Sequence, residues 1–276
     1  MGNVLSEDEV ALFHKQGFLA PLRALGAIEA GDCFERIRAF EKQYGRGGNE
    51  FLRLKSHRLL PWIANLAQRE EILDAVEDLI GSNIRLFVSS IFSKEGSSPA
   101  FVSWHQDSGS SGLTPHDSVT VWVAFTESTV ANGCLKVLPG THLGADHAHQ
   151  DTYAEDNLLA RGQTIVDIDD RKAVHLELQP GQFSIHHEKT IHGSGLNTTP
   201  HRRIGFSFVY VPPHVRPVGE RRRASLLVRG TDNFGYWDDE SVPQAEMEPT
   251  AVASLERMLN RYRETAQKAT ADQPRS

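Results

Sequence analysis

From about Asn83 onward the chain is a succession of short β-rich segments, and this texture limits its folds more than any other feature. "NIRLFVSSIFSK", "FVSWHQD", "SVTVWVAFTES", "CLKVLPGTH", "VHLELQPGQFSIHH" and "RRIGFSFVYVP" are each about one strand long and partly alternate apolar with polar residues. Period-2 alternation puts one set of side chains on a core face and the other set opposite it. With turn residues between the segments, the pattern predicts an antiparallel sandwich or barrel.

The residues before Asn83 read differently. "LSEDEVALFHKQGFL" has Ser6 in the N-cap position, acids in the first turn and Gly17 as the stop. "GAIEAGDCFERIRAFEKQYG" and "LLPWIANLAQREEILDAVEDLIG" carry apolar residues three and four apart and end in glycine, which predicts two more helices. "EPTAVASLERMLNRYRETAQKA" predicts a last one. The segment from His142 to Lys172 is polar, irregular and too long for a turn, so it reads as a lid or excursion, and its stretch from about Gly144 to Ile165 is expected to be the most mobile part of the β-region without ligand. Without repeats or a linker, the expectation is one domain over residues 1–276. It comprises helices to residue 82, a β-core over 83–215 with the excursion at about 143–172, and an extension with its helix over 216–276.

Composition narrows the partners. With 39% hydrophobic and 24% charged residues the chain can bury a core, and a net charge of −7 argues against nucleic acid. Two cysteines, Cys33 and Cys134, exclude a disulfide framework and point to the cytoplasm. No apolar run approaches the ~18 residues of a membrane span, so a membrane is not expected as a partner. "MGNVLS" fits an N-myristoylation pattern, but Glu7, Asp8 and Glu9 follow where a basic patch would support it, and coincidence is the better reading.

In "SWHQDSGSSGL" His105 and Asp107 stand two apart. On an extended strand they share a face, with Gln106 directed away. Imidazole and carboxylate on one face are two thirds of a 2-His-1-carboxylate facial triad, although an isolated H-x-D is more often a surface pair. Thirteen histidines compete for the third place. The strongest segment is "PGQFSIHHEKTIHGSGLNTTPHRRIGFSFVYVP", where His186 and His187 lie in an apolar strand and His192 opens a glycine-rich corner.

"WHQD" (104–107), "VTVWVAFTESTVANGCLKVLPGTH" (119–142), "HGSGLN" (192–197) and the arginine beyond them occur in that order. Over about residues 80–215 the chain thereby resembles the phytanoyl-CoA dioxygenase family of Fe(II)- and 2-oxoglutarate-dependent oxygenases. The resemblance implies a mainly β fold with flanking helices, a double-stranded β-helix (jelly roll, cupin-like) barrel. It implies His105, Asp107 and His192 as ligands of Fe(II), with 2-oxoglutarate and dioxygen as cosubstrates. It also implies Arg203 as the partner of the far carboxylate of 2-oxoglutarate, and a planar guanidinium suits that task. Ser194 matches the accompanying hydroxyl, and Thr120 is a further candidate for the cosubstrate. Arg202 would then face solvent or an acid. Lys94, Gln106 and Trp122 are candidate substrate contacts, and His142 is expected to brace the corner by hydrogen bonding.

The implied reaction is hydroxylation of an unactivated C–H bond of a small polar or anionic metabolite, with release of succinate and CO2. An acyl-CoA or natural-product intermediate, and desaturation or epimerisation, use the same triad. Asp107 fills the position that halogenating relatives leave open. A non-catalytic binding barrel would have no need of triad and arginine together, and the glycine corner followed by the arginine favours iron and a keto acid over a zinc hydrolase. The polar lid favours a polar substrate, and Arg161, Arg221, Arg222, Arg223 and Arg229 are candidates for meeting an anion, although the "RRR" run reads better as a solvated loop. Phe234, Tyr236 and Trp237 are expected either to cap the mouth or to pack against it.

Overall fold

The computed structural model describes residues 3–219 and 222–258. The chain opens with α1 (Glu7–Gln16), β1 (Phe18–Arg23), α2 (Ala27–Tyr44), the short α3 (Gly48–Phe51), α4 (Pro61–Leu66) and α5 (Glu70–Ile80). The core follows as β2 (Ile84–Lys94), β3 (Val102–His105), the single-turn α6 (Ser108–Ser111), β4 (Leu113–Thr114), β5 (Val119–Ala124) and β6 (Leu135–Val137). After the excursion come β7 (Val174–Leu176), β8 (Gln182–His187), β9 (His192–Ser194) and β10 (Arg203–Val211). The extension adds β11 (Arg216–Pro217), β12 (Arg223–Arg229) and β13 (Trp237–Asp239).

The strands form a seven-stranded sheet, β1-β8-β5-β10-β2-β12-β13, facing a four-stranded sheet, β3-β9-β6-β7, with β11 and β4 as a separate pair. All named pairings are antiparallel except β12 with β13. This is the jelly roll expected from the sequence, but no hydrogen-bonded ladder among the described residues closes the two sheets into a barrel. Both flanks lend strands to the large sheet, which the helix-then-β division did not anticipate. β1 carries Pro21, and it takes the edge, where a missing N–H costs no ladder bond.

Alternation on β5 sorts the two faces. Val119, Val121 and Val123 join Phe206, Phe208, Phe183 and Ile185 in the main core, packed under α2, α4 and α5. Thr120, Trp122 and Ala124 point the other way, towards the small sheet. The outer face is therefore the hydrophobic core, and the inner face carries most of the polar groups discussed below.

α1 begins as expected: the Ser6 hydroxyl accepts from the Glu9 amide at 3.3 Å and Glu9 accepts from the Ser6 amide at 2.8 Å. It ends at Gly17 with φ of 85°, whose carbonyl takes hydrogen bonds from the His187 amide (2.9 Å) and the Thr190 hydroxyl (2.8 Å). The segment expected as one helix over 59–81 is two. Arg69 is extended (ψ 138°), its guanidinium bonds Glu71 and Glu29, and acidic Glu70 and Glu71 start α5 afresh. Of the last predicted helix, residues 249–258 are helical and the remainder lies outside the described residues, as do Met1, Gly2 and Arg221. No described helix is long and apolar enough to cross a membrane.

Candidate metal and cosubstrate site

β3 and β9 pair with His105 opposite His192, so two strands of the small sheet bring the two imidazoles together. Asp107 follows β3 at the start of a turn. Nε2 of His105 lies 3.5 Å from Asp107 Oδ1, and Nε2 of His192 lies 3.8 Å from the same oxygen. One donor atom from each of the three residues falls within 4.8 Å of the others. Nδ1 of His105 faces the Ser103 carbonyl at 2.9 Å, and Nδ1 of His192 faces the Thr190 carbonyl at 2.9 Å. A carbonyl can only accept, so both Nδ1 atoms carry the proton and both Nε2 lone pairs point at the centre of the group.

The electrostatics suit a cation. Burial works against the charge on Asp107, but His192, His105 and His186 around it hold its carboxyl well below the ordinary carboxylate range. Burial, and then the neighbouring His105 and His186, push His192 well below the ordinary imidazole range, which leaves its ring neutral, as metal ligation requires. The Thr120 hydroxyl donates to Asp107 Oδ2 at 2.8 Å, which fixes the carboxylate and leaves Oδ1 towards the histidines. The donor set is thus two imidazoles and one carboxylate on one side of a space, which fits Fe(II).

His186 lies against the same carboxylate, with Nε2 3.5 Å from Oδ2 and its ring 4.2 Å from that of His192. Neither of its ring nitrogens has a hydrogen-bond partner among the described residues. His187 points elsewhere, with its ring 5.3 Å from that of His142. His142 donates to the His14 carbonyl at 3.1 Å and so ties the corner to α1.

A second group of polar residues lies at the other end of β3 and β9, where Val102 pairs with Ser194. Arg203 and Lys94 face each other across β10 and β2. Lys94 Nζ donates to Ser194 Oγ at 2.7 Å, to the Gly133 carbonyl at 3.3 Å and to the Gly195 carbonyl. Arg203 is buried, with its guanidinium 4.1 Å over the Trp122 ring and one hydrogen bond, to Ser128 at 3.3 Å. Among the described residues neither cation has an acid within ion-pair distance. Burial draws Arg203 down to about 10, and burial followed by Arg203 draws Lys94 down to about 6. A buried guanidinium, a buried amine that an arriving carboxylate would charge, and a hydroxyl together suit the far end of 2-oxoglutarate.

The profile of the phytanoyl-CoA dioxygenase (PhyH) family matches residues 2–205. The chain belongs to this family. It is 30% identical over 201 residues to a probable alpha-ketoglutarate-dependent hypophosphite dioxygenase of Stutzerimonas stutzeri, covering 72% of this chain and 68% of that one. It is 26% identical over 237 residues to a probable phytanoyl-CoA dioxygenase of Caenorhabditis elegans, covering 76% of each. Among solved structures, the non-heme monooxygenase ThoJ in its apo form aligns over 96% of this chain and 99% of its own, with a TM-score of 0.81 and 30% identity. The protein is a non-haem Fe(II)- and 2-oxoglutarate-dependent dioxygenase.

The motifs of this PhyH-family oxygenase have local physical causes. In "NGC", Gly133 sits at φ 75°, and a Cβ there would meet the Gly195 carbonyl at 2.4 Å and Lys94 Nζ at 2.9 Å. Only glycine lets that turn close over Lys94. The Asn197 amide of "HGSGLN" donates to the carbonyls of Lys94 (3.2 Å), Glu95 (2.9 Å) and His201 (2.8 Å), which holds the ends of β2 and β10 together.

The three candidate substrate contacts have other neighbours. Lys94 belongs to the Ser194 and Arg203 group, and Trp122 lies beneath Arg203. Gln106 is buried facing away from the triad. Its amide donates to the Lys189 carbonyl (2.7 Å) and accepts from the His147 amide (2.9 Å), while its own N–H donates to His149 (3.0 Å). Gln106 thus pins the excursion. The excursion is further stitched along β3 by Phe101 N to Asp156 O (3.0 Å), Leu158 N to Phe101 O (2.8 Å) and Ile165 N to Trp104 O (2.7 Å). These bonds dock the excursion along β3.

Of the arginines considered for an anion, Arg161 pairs with Asp151 at 3.2 Å, Arg222 with Asp238 at 2.9 Å, and Arg229 with Asp74 and Glu77 at 2.7 Å. Arg223 stacks on Phe87 and bonds the Ser111 carbonyl. Trp237 packs on Phe87 at 5.3 Å, while Phe234 and Tyr236 remain exposed.

Proposed function

We propose that His105, Asp107 and His192 hold the Fe(II), and that Arg203, Lys94 and Ser194 receive the far carboxylate of 2-oxoglutarate. In this reading the enzyme hydroxylates a C–H bond of a small polar or anionic metabolite. The observation that carries it is the pair of buried basic side chains, Lys94 and Arg203, with no acid beside them among the described residues, on the inner face that also bears Thr120 beneath Asp107. When bound, iron and cosubstrate supply decarboxylation of 2-oxoglutarate to succinate and CO2, coupled to oxidation of the substrate by dioxygen.

The chain contributes position and dryness. Ser103 and Thr190 set the imidazole tautomers, Thr120 sets the carboxylate, and Trp122 walls the guanidinium from water. The excursion, pinned through Gln106, covers the β3 side of the site and screens reacting atoms from solvent. Contributions from both flanks to one sheet support reading the chain as one oxygenase domain. The two free cysteines support a cytoplasmic setting. A relative named for hypophosphite, itself a small oxyanion, supports the small anionic class of substrate. The test is succinate formation by the Fe(II)-loaded enzyme across a panel of small carboxylates and phosphorus oxyanions. Substrate-stimulated succinate with a product gaining one oxygen is the expected result. No 2-oxoglutarate turnover under any condition would overturn the reading.

A further inference from the structure

Arg53 lies between α3 and the turn at Ser56–Arg58, in a segment that covers the edge of β2. The Leu52 carbonyl accepts from the Ile91 amide at 3.0 Å, and the Asn49 side chain brackets Ser93 at 2.6 and 3.0 Å. This brings the half-buried Arg53 round the edge, with its guanidinium 5.2 Å over the ring of Phe92. Phe92 packs with Trp122 in one apolar cluster, and it precedes Lys94 by two residues on the same face, roughly 7 Å along the strand.

One Nη of Arg53 donates to the Leu158 carbonyl, and its Nε and other Nη have no hydrogen-bond partner among the described residues. Leu158 follows Asn157, whose amide donates to Ser103 Oγ at 2.9 Å, and the Ser103 carbonyl orients His105. The arginine is thus wedged between the inner face of the large sheet and the excursion, next to the residues that support the triad.

No carboxylate lies within ion-pair distance of Arg53 among the described residues. Arg202, by contrast, is bonded twice to Glu41 at 2.7 Å, and Arg85 reaches Asp232 at 2.6 Å. Arg203 shares the pattern of Arg53, a guanidinium over an aromatic ring with no acid, and Arg203 has a carboxylate to receive.

We propose that Arg53 is the substrate's anion anchor. An oxyanion of the substrate, carboxylate or phosphorus oxyanion, lies over Phe92 and takes the free edge of the guanidinium, which orients the remaining carbon skeleton towards the triad. This rests on the oxygenase reading above and names the substrate class for that site. Burial, which lowers Arg53 to about 10 and leaves it charged at neutral pH, agrees with a group waiting for an anion.

The probes are inorganic phosphate and acetate, titrated separately by calorimetry into the full chain loaded with Ni(II) and saturating 2-oxoglutarate. The wild type is expected to bind at least one of them beyond the cosubstrate, phosphate marking a tetrahedral and acetate a planar anion. Arg53→Gln should weaken that binding about tenfold to a hundredfold with 2-oxoglutarate affinity unchanged. Arg53→Lys, which keeps the charge, should retain most of it. Thermal melts of both variants verify folding. No second anion in the wild type, undiminished binding in Arg53→Gln, or equal loss in the Lys and Gln variants would overturn the proposal. The last result would reduce Arg53 to a latch for Leu158. Failure of 2-oxoglutarate itself to bind the Ni(II) protein would instead strike the oxygenase reading, so the two failures are separable.

Discussion

Arg202 and Arg203 are adjacent in the chain and lie on opposite faces of the large sheet. Arg202 points outward to Glu41, with two bonds of 2.7 Å, and also reaches Glu95 at 2.7 Å. Arg203 points inward to an aromatic ring and one hydroxyl. The outer face, with its apolar core and paired rim, holds the fold together. The inner face keeps two basic side chains with no acid beside them among the described residues, and three potential ligating groups turned towards one space. Leaving such groups unanswered costs stability, and a folded chain retains them where a ligand completes them.

The sharpest way to break this contrast is to remove Asp107, the carboxylate proposed as a metal ligand. Asp107→Ala should abolish succinate-coupled hydroxylation and greatly weaken metal binding, because two imidazoles alone hold a divalent ion poorly. The measurement is Fe(II) or Ni(II) titration beside succinate assays. Retained hydroxylase activity would take the triad out of the account.

Next comes the arginine pair. Arg203→Ala should strip the far carboxylate of its proposed partner, a loss of about 3–5 kcal/mol, or roughly two to three and a half orders of magnitude in the 2-oxoglutarate requirement. Arg202→Ala should leave that requirement alone and instead lower stability by about 1–3 kcal/mol through its lost charged hydrogen bonds. The concentration dependence of turnover and a urea melt on each variant separate the two effects. A swap of phenotypes would mean that the faces are assigned the wrong way round.

How much of this could be read beforehand follows the same division. Period 2 on "SVTVWVAF" and "HRRIGFSF" separates Thr120 from the valines and Arg203 from Arg202, and it places His105 with Asp107. Selecting His192 over His186 needed the family motif, because alternation cannot rank histidines. Arg53 carried no local signal at all. Its meaning depends on contacts with Phe92, 39 positions on, and Leu158, 105 positions on, and neither is encoded in a neighbouring residue. Alternation turns Gln106 away from the triad, but its bonds to the excursion arise from a loop no periodicity describes. The break at Arg69 was hidden because its pairing with Glu29 spans 40 residues.

A smaller effect should follow from loosening the excursion. Gln106→Ala removes the bonds to His147 and Lys189 while sparing both ends of the inner face. The expected outcome is partial uncoupling, with succinate formed several-fold in excess of hydroxylated product and 2-oxoglutarate affinity nearly unchanged. Deleting the tip of residues 144–165 should uncouple further. Side-by-side measurement of succinate and product decides, and equal loss of both would mean that the excursion only supports β3.

The subtlest prediction concerns protons at the anion end. Burial, then Arg203, lowers Lys94 to about 6, so without cosubstrate its amine is largely neutral at pH 7.5. A carboxylate arriving beside Ser194 favours the charged form and raises that value. Binding of 2-oxoglutarate should therefore take up a fraction of a proton between pH 6 and 9. Calorimetry in two buffers of different ionisation enthalpy reads it directly, and Lys94→Met should remove the buffer dependence. The same shift has a sign in stability. The unfolded lysine holds a proton that the folded one lacks between about pH 6 and its ordinary range above 10. Through that window the Lys94 contribution to stability without cosubstrate rises with pH, and below pH 6 it stays at its lowest constant level. Saturating 2-oxoglutarate should flatten the dependence, because Lys94 then stays charged in both states. Buffer-independent binding heats in the wild type would show that Lys94 is already charged before the cosubstrate arrives. The inner face would then be a fixed positive site rather than one that charges on demand.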